Sequence, residues 1–233
     1  MSEPFKPLAA HRDQAVARNT RGWVLAGGAS FRMGKEKSGL AFGEQSLLQI
    51  AIAKARSICG DVAILCGAQP QRGNGLAPAI LDVRPLCGPL GGIEAALLHT
   101  DADWNLFLAV DTPLIPVSLL SSWKEYVSRQ DKVGVACMVD DRRVHALPML
   151  LRRETLPLLS AALDAGRYRL QEEVEAAVRT LGMGISHVDV DSLPLSGISK
   201  VQRAARAVWF ANANTPDEME RMRHFAHMLR AAE

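Results

Sequence analysis

The chain has 233 residues, 48% of them hydrophobic, which is enough for one large α/β domain or two small ones. Its 27 Lys and Arg against 25 Asp and Glu give a net charge of +2, too small to indicate a nucleic-acid or membrane surface. No apolar stretch approaches the roughly 18 residues of a spanning helix, and the N-terminus lacks the apolar region of a signal peptide. We expect a cytoplasmic protein that meets anionic substrates through a local basic cluster.

The cysteine pattern argues against disulfides and against a zinc site. The four cysteines, at positions 59, 66, 87 and 137, form no Cys-x-x-Cys pair, and three lie in or beside apolar runs. The histidines make no zinc spacing with them. We expect buried, reduced thiols.

Strand and helix patterns alternate after a polar beginning. Residues 1–21 carry two prolines, several charges and few apolar side chains, which predicts a flexible N-terminal extension before a single domain over 22–233. The apolar pattern predicts strands at 23–26, 62–66, 79–81, 105–110, 133–139, 144–151, 185–190 and 208–211. It predicts one helix after Ser46, a second that starts at Ile93, and further helices over 116–127, 154–163, 170–179 and 217–230. For 191–206 it predicts a loop with a short helix.

This alternation predicts an α/β fold with a mostly parallel sheet and helices on both of its faces. In such sheets the strands end at a common edge, and ligands bind in the crevice outside those carboxyl ends. Residues that directly follow the predicted strands are therefore the first candidates for a functional site.

The stretch over residues 23–37 carries the strongest functional signal. A short apolar run breaks into the pair Gly27-Gly28, and Arg32, Lys35 and Lys37 follow. Paired glycines let backbone amides face an anion without a Cβ in the way, and the basic side chains add positive charge. The spacing fits neither the Walker A loop nor the dinucleotide fingerprint. The stretch therefore predicts a loop that holds a polyphosphate, with an ordinary glycine-rich turn as the alternative.

Two carboxylates end predicted strands. Asp111 follows an apolar strand and precedes Thr112-Pro113, where a carboxylate beside a phosphate loop could hold Mg²⁺. Asp82 ends the short third strand and could contact a base edge or a ribose hydroxyl. Each could instead cap a turn. Gly88 could allow close approach of a nucleotide, or could simply be required by its own turn.

Three polar residues in the second half form a weaker group. His145 lies on a predicted core strand next to Arg142 and Arg143, and it could contact a substrate phosphate or be an ordinary core or surface histidine. Asn212 and Asn214 precede a helix start, and on an extended segment their side chains would point the same way.

These residues together resemble the molybdenum cofactor guanylyltransferase family, over most of the chain from Trp23 onward. The resemblance is carried by Leu25-Ala26-Gly27-Gly28 with Arg32-Met33-Gly34 and Lys37, by Gly88-Pro89-Leu90-x-Gly92-Ile93, by Leu108-Ala109-Val110-Asp111-Thr112-Pro113, by His145 with Leu150-x-Arg152-Arg153, by Leu163-x-Ala165-Gly166 with Arg167 and Arg169, and by Phe210-x-Asn212-x-Asn214-Thr215-Pro216.

The resemblance implies a Rossmann-like fold of nucleotidyltransferase type that binds GTP and Mg²⁺. It implies catalytic roles for Lys37, Arg32 and Asp111, with Asp111 as the metal ligand. The implied nucleotide contacts are Leu25, Ala26, Gly27, Gly28, Lys37, Asp82 and Asp111, to which the second glycine loop adds Gly88. On the acceptor side the resemblance places His145, Arg167, Arg169, Asn212 and Asn214.

The chain departs from the family pattern at three positions and in one segment. Glu36 stands before the motif lysine where the family has Asp, Ala146 follows His145 where a proline is common, and Cys66-Gly67 ends the second strand where an asparagine is frequent. The 191–206 segment is longer than the family leads us to expect.

The predicted reaction transfers GMP from GTP to the phosphate of molybdopterin or the molybdenum cofactor and releases pyrophosphate. Molybdoenzymes or their chaperones are candidate protein partners, and neither nucleic acid nor a membrane is expected. Three alternatives stay open: a cytidylyltransferase on the same cofactor, a sugar-1-phosphate nucleotidyltransferase, and a non-catalytic nucleotide-binding protein that delivers the cofactor. The presence of both Lys37 and Asp111 favours an enzyme.

Overall fold

The computed structural model of the protein describes residues 20–27, 39–69, 75–194, 197–212 and 215–231, with 216 and 227–231 described by their backbone only. The predicted extension at 1–19 and the basic part of the first glycine loop, 28–38, lie outside these ranges. The described strands are β1 (Thr20–Leu25), β2 (Ala41–Phe42), β3 (Gln45–Ser46), β4 (Asp61–Leu65), β5 (Ala79–Ile80), β6 (Trp104–Ala109), β7 (Val133–Asp140), β8 (Arg143–Arg152) and β9 (Gly184–Asp189).

Seven of the described strands form one sheet, in the order β5-β4-β1-β6-β8-β7-β9, and β2 and β3 form a separate hairpin. Strands β5, β4, β1 and β6 pair in parallel, and so do β7 and β9. Strand β8 runs antiparallel to both β6 and β7. The prediction of a mostly parallel sheet is confirmed, and all strands of this sheet except β8 end at one edge, called here the carboxyl edge.

Helices cover both faces of the sheet, as predicted. The α-helices of the described chain are α1 (Leu47–Ile58), α2 (Gly88–Leu98), α3 (Val117–Ser128), α4 (Leu156–Asp164), α5 (Leu170–Thr180), α6 (Lys200–Ala204) and α7 (Pro216–Ala231). Within β1, Trp23 and Leu25 belong to a core shared with α2, α4 and α5, whereas Val24 belongs to a second core shared with α1, α3 and α7.

The start of α1 follows from local chemistry. The Ser46 hydroxyl accepts from the Gln49 amide at 3.2 Å, and the Ser46 amide donates to the Gln49 side chain at 2.7 Å. This capping box satisfies two backbone donors at once and confirms the predicted N-cap. The same device at Ser199 and Gln202 begins α6, so the predicted short helix in the 191–206 segment is also confirmed.

Three sequence predictions need correction. Thr20 and Arg21 were expected in the N-terminal extension, but both pair with neighbouring strands as the first residues of β1. Helix α2 begins at Gly88 rather than at Ile93. The predicted strand at 208–211 is wrong. The amides of Val208, Trp209 and Ala211 each bond the carbonyl three residues earlier, at 3.0–3.1 Å, which makes a tight turn.

The physical reason for the last error is Trp209. Its side chain is buried in the core with α1 and α3, and its indole N–H donates to the Gln202 carbonyl at 2.9 Å. The apolar character of 208–211 therefore reflects a tryptophan that anchors a turn, since a short apolar run does not distinguish the two cases.

The four cysteines are free and buried, as predicted. Burial raises the pKa of Cys59 to about 11 and of Cys137 to about 12, so both stay protonated near neutral pH. No helix in the described part of the chain has the length and apolar character that crossing a membrane requires.

Candidate active site

The carboxyl end of β1 forms the middle of the candidate site. The amides of Ala26 and Gly27 both donate to the Leu65 carbonyl, at 3.0 and 2.9 Å. A Cβ on Gly27 would lie 2.8 Å from the Gly67 amide nitrogen, so a side chain does not fit there without moving backbone. The predicted phosphate loop thus leaves the sheet in close contact with the end of β4. Gly28, Arg32 and Lys37 lie outside the described residues.

The β1–β6 register brings the ends of these two strands side by side. Leu25 pairs with Ala109 in the parallel ladder, and Gly27 and Asp111 each follow that pair by two residues. Asp111 is half-buried, and Val110 before it is buried. Both residues therefore follow neighbouring strands at the carboxyl edge, and the metal role of Asp111 remains a prediction.

The loop after Asp111 is held by a lysine that the sequence prediction missed. Lys54, on α1, donates to the carbonyl oxygens of Pro113 and Ile115, the second at 2.7 Å. Burial lowers the pKa of Lys54 to about 7. No local signal marks this lysine, because its partners lie 59 and 61 residues further along the chain.

Asp82 leaves β5 and lies against the first turns of α2. Its amide donates to the Gly67 carbonyl at 2.9 Å. One carboxylate oxygen lies 3.5 Å from where a Cβ on Gly92 would be, and the other lies 3.6 Å from that position on Gly91. A carboxylate close to a helix N-terminus is favoured by the helix dipole. Its contact with a base or ribose remains a prediction.

The segment between Asp82 and Gly88 is anchored by a buried acid. Glu94, only 2% exposed, accepts from the Arg84 guanidinium Nε at 2.9 and 3.1 Å, and Arg84 also bonds Asp164 on α4. The sequence prediction missed this pair as well. A signal was present, since Glu94 is the lone charged residue in the apolar run 90–98 and a buried charge requires a partner.

Gly88 begins α2 in a left-handed conformation, with φ of 62°. This backbone conformation favours glycine, which supports the alternative that Gly88 is required by its own turn. Leu86, two residues earlier, has φ of 65° and a side chain that is 99% exposed. A leucine in this conformation is strained, and it stands in the same loop as two predicted nucleotide residues.

His145 lies near the carboxyl end of β7, with which it pairs through Met138. Its ring stacks on Phe210 with centroids 4.0 Å apart and planes 15° apart. Burial lowers the pKa of His145, nearby Arg143 lowers it further, and Asp140 opposes both. A neutral imidazole at pH 7 can hydrogen-bond a substrate but adds no positive charge to bind its phosphate.

The segment that carries Phe210 and Asn212 is tied to the sheet by an ion-pair cluster. Arg206 bonds Asp140, at the end of β7, at 2.8 Å, and it also bonds Asp191. Asn212, two residues after Phe210, is exposed. The structure therefore brings Asn212 and His145 to one region of the carboxyl edge, whereas Asn214 lies outside the described residues.

Arg167 and Arg169 lie in the loop before α5, and both are exposed. Arg167 pairs with Glu173 at 3.0 Å and Arg169 with Glu172 at 2.9 Å. Each arginine thus has a carboxylate partner from α5, and a role toward an acceptor remains a prediction for both.

A magnesium ion fits the carboxylate that is present. Mg²⁺ in nucleotide enzymes is commonly held by one or two carboxylates and completed by substrate phosphates and water. Asp111, half-buried two residues after β6, offers such an oxygen ligand. The described residues contain no cluster of three or more His, Cys, Asp or Glu side chains that could hold a metal without substrate.

Comparison with known proteins decides the family. Residues 22–180 match the family model of the MobA-like NTP transferase domain. The chain belongs to this family. It is a nucleotidyltransferase of molybdenum cofactor biosynthesis. The matched range contains every described candidate site residue predicted from the sequence except Asn212.

Individual relatives agree with the family. The molybdenum cofactor guanylyltransferase of Vibrio cholerae is 31% identical over 203 residues, which cover 84% of this chain and 88% of that protein. That of Rhizobium meliloti is 37% identical over 120 residues, or 48% of this chain and 55% of the relative. The crystal structure of molybdopterin-guanine dinucleotide biosynthesis protein A from Archaeoglobus fulgidus has a TM-score of 0.69 at 20% identity, covers 89% of this chain and 99% of its own, and confirms the nucleotidyltransferase-type fold.

Proposed function

We propose that the protein transfers GMP from GTP to the terminal phosphate of molybdopterin or the molybdenum cofactor. The observation that supports this most is the β1–β6 register, which places the strand ends before Gly27 and Asp111 side by side at the carboxyl edge. The choice of GTP and of the pterin acceptor rests on the names of the relatives, because several of them are molybdenum cofactor guanylyltransferases.

In the proposed reaction an oxygen of the acceptor phosphate attacks the α-phosphorus of GTP. The bond from that phosphorus to the α–β bridging oxygen breaks, and pyrophosphate leaves with the bonding electrons. A phosphate nucleophile is already ionised near neutral pH, so the chain needs no general base. Catalysis then consists of holding two anions in line and neutralising their charge.

The proposed roles follow from position. The backbone of Leu25, Ala26, Gly27 and Gly28 holds the nucleotide phosphates, while Lys37 and Arg32 neutralise them. Asp111 holds Mg²⁺, which supplies further charge neutralisation at the reacting phosphates when it is bound. Asp82 and Gly88 contact the nucleoside, and His145, Arg167, Arg169, Asn212 and Asn214 contact the acceptor. We place the reaction in the cytoplasm, where the four buried free thiols stay reduced.

The test mixes the protein with Mg²⁺ and intact molybdenum cofactor, adds each nucleoside triphosphate separately, and measures pyrophosphate. We expect release with GTP and little with CTP. Release with CTP alone would replace the guanylyl assignment by a cytidylyl one. No release with any nucleotide would favour the cofactor-delivery alternative.

A matched pair of variants distinguishes the loss of a carboxylate charge in the proposed site from the same loss elsewhere on the surface. Asp111→Asn keeps the shape of the side chain but removes the charge that holds the metal, and we expect activity to fall at least a hundredfold. Asp101→Asn makes the same change before β6, at the opposite end of that strand, where the exposed Asp101 makes a 4.0 Å ion pair with Arg153. Asp101→Asn should leave turnover unchanged. Full activity in Asp111→Asn would remove Asp111 as the metal ligand.

A further inference from the structure

Lys54 is a half-buried lysine whose described partners are backbone oxygens. Its amine donates to the carbonyls of Pro113 and Ile115, both of which are buried residues of the loop between β6 and α3. Burial is the cause of its lowered pKa. Removing a charged amine from water without a carboxylate partner is costly, so this residue is a poor choice for stability alone.

The contacts of Lys54 link two parts of the proposed site. Pro113 follows Asp111 by two residues, and Lys54 lines a small apolar pocket together with Val110 and Thr112. Helix α1, which carries Lys54, follows the segment that contains Lys37. Lys54 therefore joins the helix after the glycine loop to the loop that begins at Asp111.

Lys54 and Thr112 are the polar residues that line this pocket. The other lining residues are apolar and come from α1, β6, the loop after β6 and the first turn of α3. A loop that begins with a proposed metal ligand must hold one conformation if that carboxylate is to meet the substrate phosphates correctly. Two hydrogen bonds from one amine fix the loop at Pro113 and Ile115.

We propose that Lys54 is a positioning residue that fixes the 111–115 loop, and with it the Asp111 carboxylate, relative to α1 and the sheet. The role of Asp111 as a metal ligand is part of the proposed function, and the inference rests on it to that extent. Lys54 itself does not touch substrate in this account. It acts through the backbone of Pro113 and Ile115.

The test replaces Lys54 by methionine, which has a similar length, no charge and no donor. We expect Lys54→Met to fold with a melting temperature at pH 6 no lower than that of the wild type, because the desolvated charge is gone. We expect kcat to fall by roughly tenfold to a hundredfold, the range that a small misplacement of reacting groups produces. The Mg²⁺ concentration for half-maximal activity should rise, whereas the KM for the acceptor should stay constant.

Lys124 provides the matched control. It also donates to a backbone carbonyl, that of Ile58, at 2.9 Å, but it lies on α3 away from the 111–115 loop. Lys124→Met should leave kcat and the Mg²⁺ dependence unchanged. Normal kcat and normal Mg²⁺ dependence in Lys54→Met would overturn the proposal.

A second readout does not depend on the reaction. Hydrogen–deuterium exchange of the apo protein should be faster over residues 110–116 in Lys54→Met than in the wild type or in Lys124→Met. If the wild type transfers no nucleotide, the proposed function fails, and this exchange measurement still decides whether Lys54 fixes the loop. Unchanged exchange over 110–116 would overturn the positioning role even in an active enzyme.

Discussion

At the scale of single residues, the candidate site combines strain with unusual burial. Leu86 holds a positive φ with its side chain in solvent, whereas Glu94 and Lys54 bring charges into the interior. Selection for stability alone would not keep these three residues. Glycine would relieve the backbone strain at Leu86, and apolar side chains of similar size would avoid the cost of bringing charge inside at Glu94 and Lys54. All three lie within or contact the loops at the carboxyl ends of β5 and β6, which supports a functional reading of those loops.

Leu86→Gly should stabilise the protein by up to about 1 kcal/mol, because glycine removes the strain of the left-handed conformation and no buried contact is lost. Leu98→Gly, in the last turn of α2, should instead destabilise by about 1 kcal/mol, since glycine is a poor helix former. Both are measured by urea denaturation. A loss of stability in Leu86→Gly would show that this side chain makes contacts in the folded protein.

The Arg84–Glu94 pair predicts a non-additive double variant. Glu94→Gln should cost roughly 1–3 kcal/mol, because Arg84 loses a charged partner while remaining about one-third exposed to water. The combination of Arg84→Met with Glu94→Leu should cost less than the two single changes added together, because neither charge is then left unpaired. All variants are measured by denaturant unfolding. If the double variant loses as much unfolding free energy as the two single variants added together, Arg84 and Glu94 do not act as a unit.

At the scale of elements, the site depends on how α1 and α2 are attached to the sheet. Helix α1 carries Lys54 to the loop after β6, and α2 carries Glu94 to the segment after β5. Two helices on opposite faces of the sheet thus hold two loops at the same edge, separated by the ends of β4 and β1. Substitutions in either helix should therefore alter the geometry of the site even where the substituted residue does not contact substrate.

The lowered pKa of Lys54 on α1 makes the free energy of unfolding depend on pH. Its pKa is about 7 in the folded protein against 10.5 in the unfolded chain, so between these values the unfolded chain binds more protons. Raising the pH through this range therefore stabilises the wild type relative to Lys54→Met, by at most about 1.4 kcal/mol per pH unit. Below about pH 6 the difference should be constant. A difference in free energy of unfolding that is flat from pH 6 to 10 would contradict the burial of a charged amine.

The elements also show which features a sequence can predict. The start of α1 was predicted correctly because its capping box lies within four residues. Asp111 was singled out because a strand end and a turn are local patterns. Lys54 was missed because its partners are distant in sequence, and the strand at 208–211 was wrongly predicted because tertiary burial of Trp209 determines that segment. The metal and phosphate roles of Asp111 and Lys37 stay predictions.

At the scale of the whole molecule, the sheet order explains how distant segments form one site. Strands β1, β4 and β6 lie side by side, so Gly27, Gly67 and Asp111 each follow a strand that ends at the same edge. The reversed strand β8 then separates this group from β7, whose end carries Asp140 near His145. The edge is thus divided into two regions, which suits a reaction that joins a nucleotide to a second phosphate.

Binding of GTP with Mg²⁺ should stabilise the whole molecule. At a ligand concentration 100 times Kd the gain is about 2.7 kcal/mol, which for a chain of this size raises Tm by roughly 5–10 °C. CTP at the same concentration should raise Tm much less, and Asp111→Asn should reduce the GTP effect in the presence of Mg²⁺. Equal shifts with the two nucleotides, measured by differential scanning calorimetry, would contradict a preference for guanine.

Nucleotidyl transfer itself is tested most directly by following two labels of GTP. The protein, Mg²⁺ and molybdenum cofactor are incubated with GTP labelled at the α-phosphorus or at the γ-phosphorus, and the products are separated. We expect the α label in a pterin–guanine dinucleotide and the γ label in pyrophosphate, with both products reduced at least a hundredfold in Asp111→Asn. The γ label in inorganic phosphate with the α label in GDP, or no dinucleotide in the wild type with intact acceptor, would contradict it.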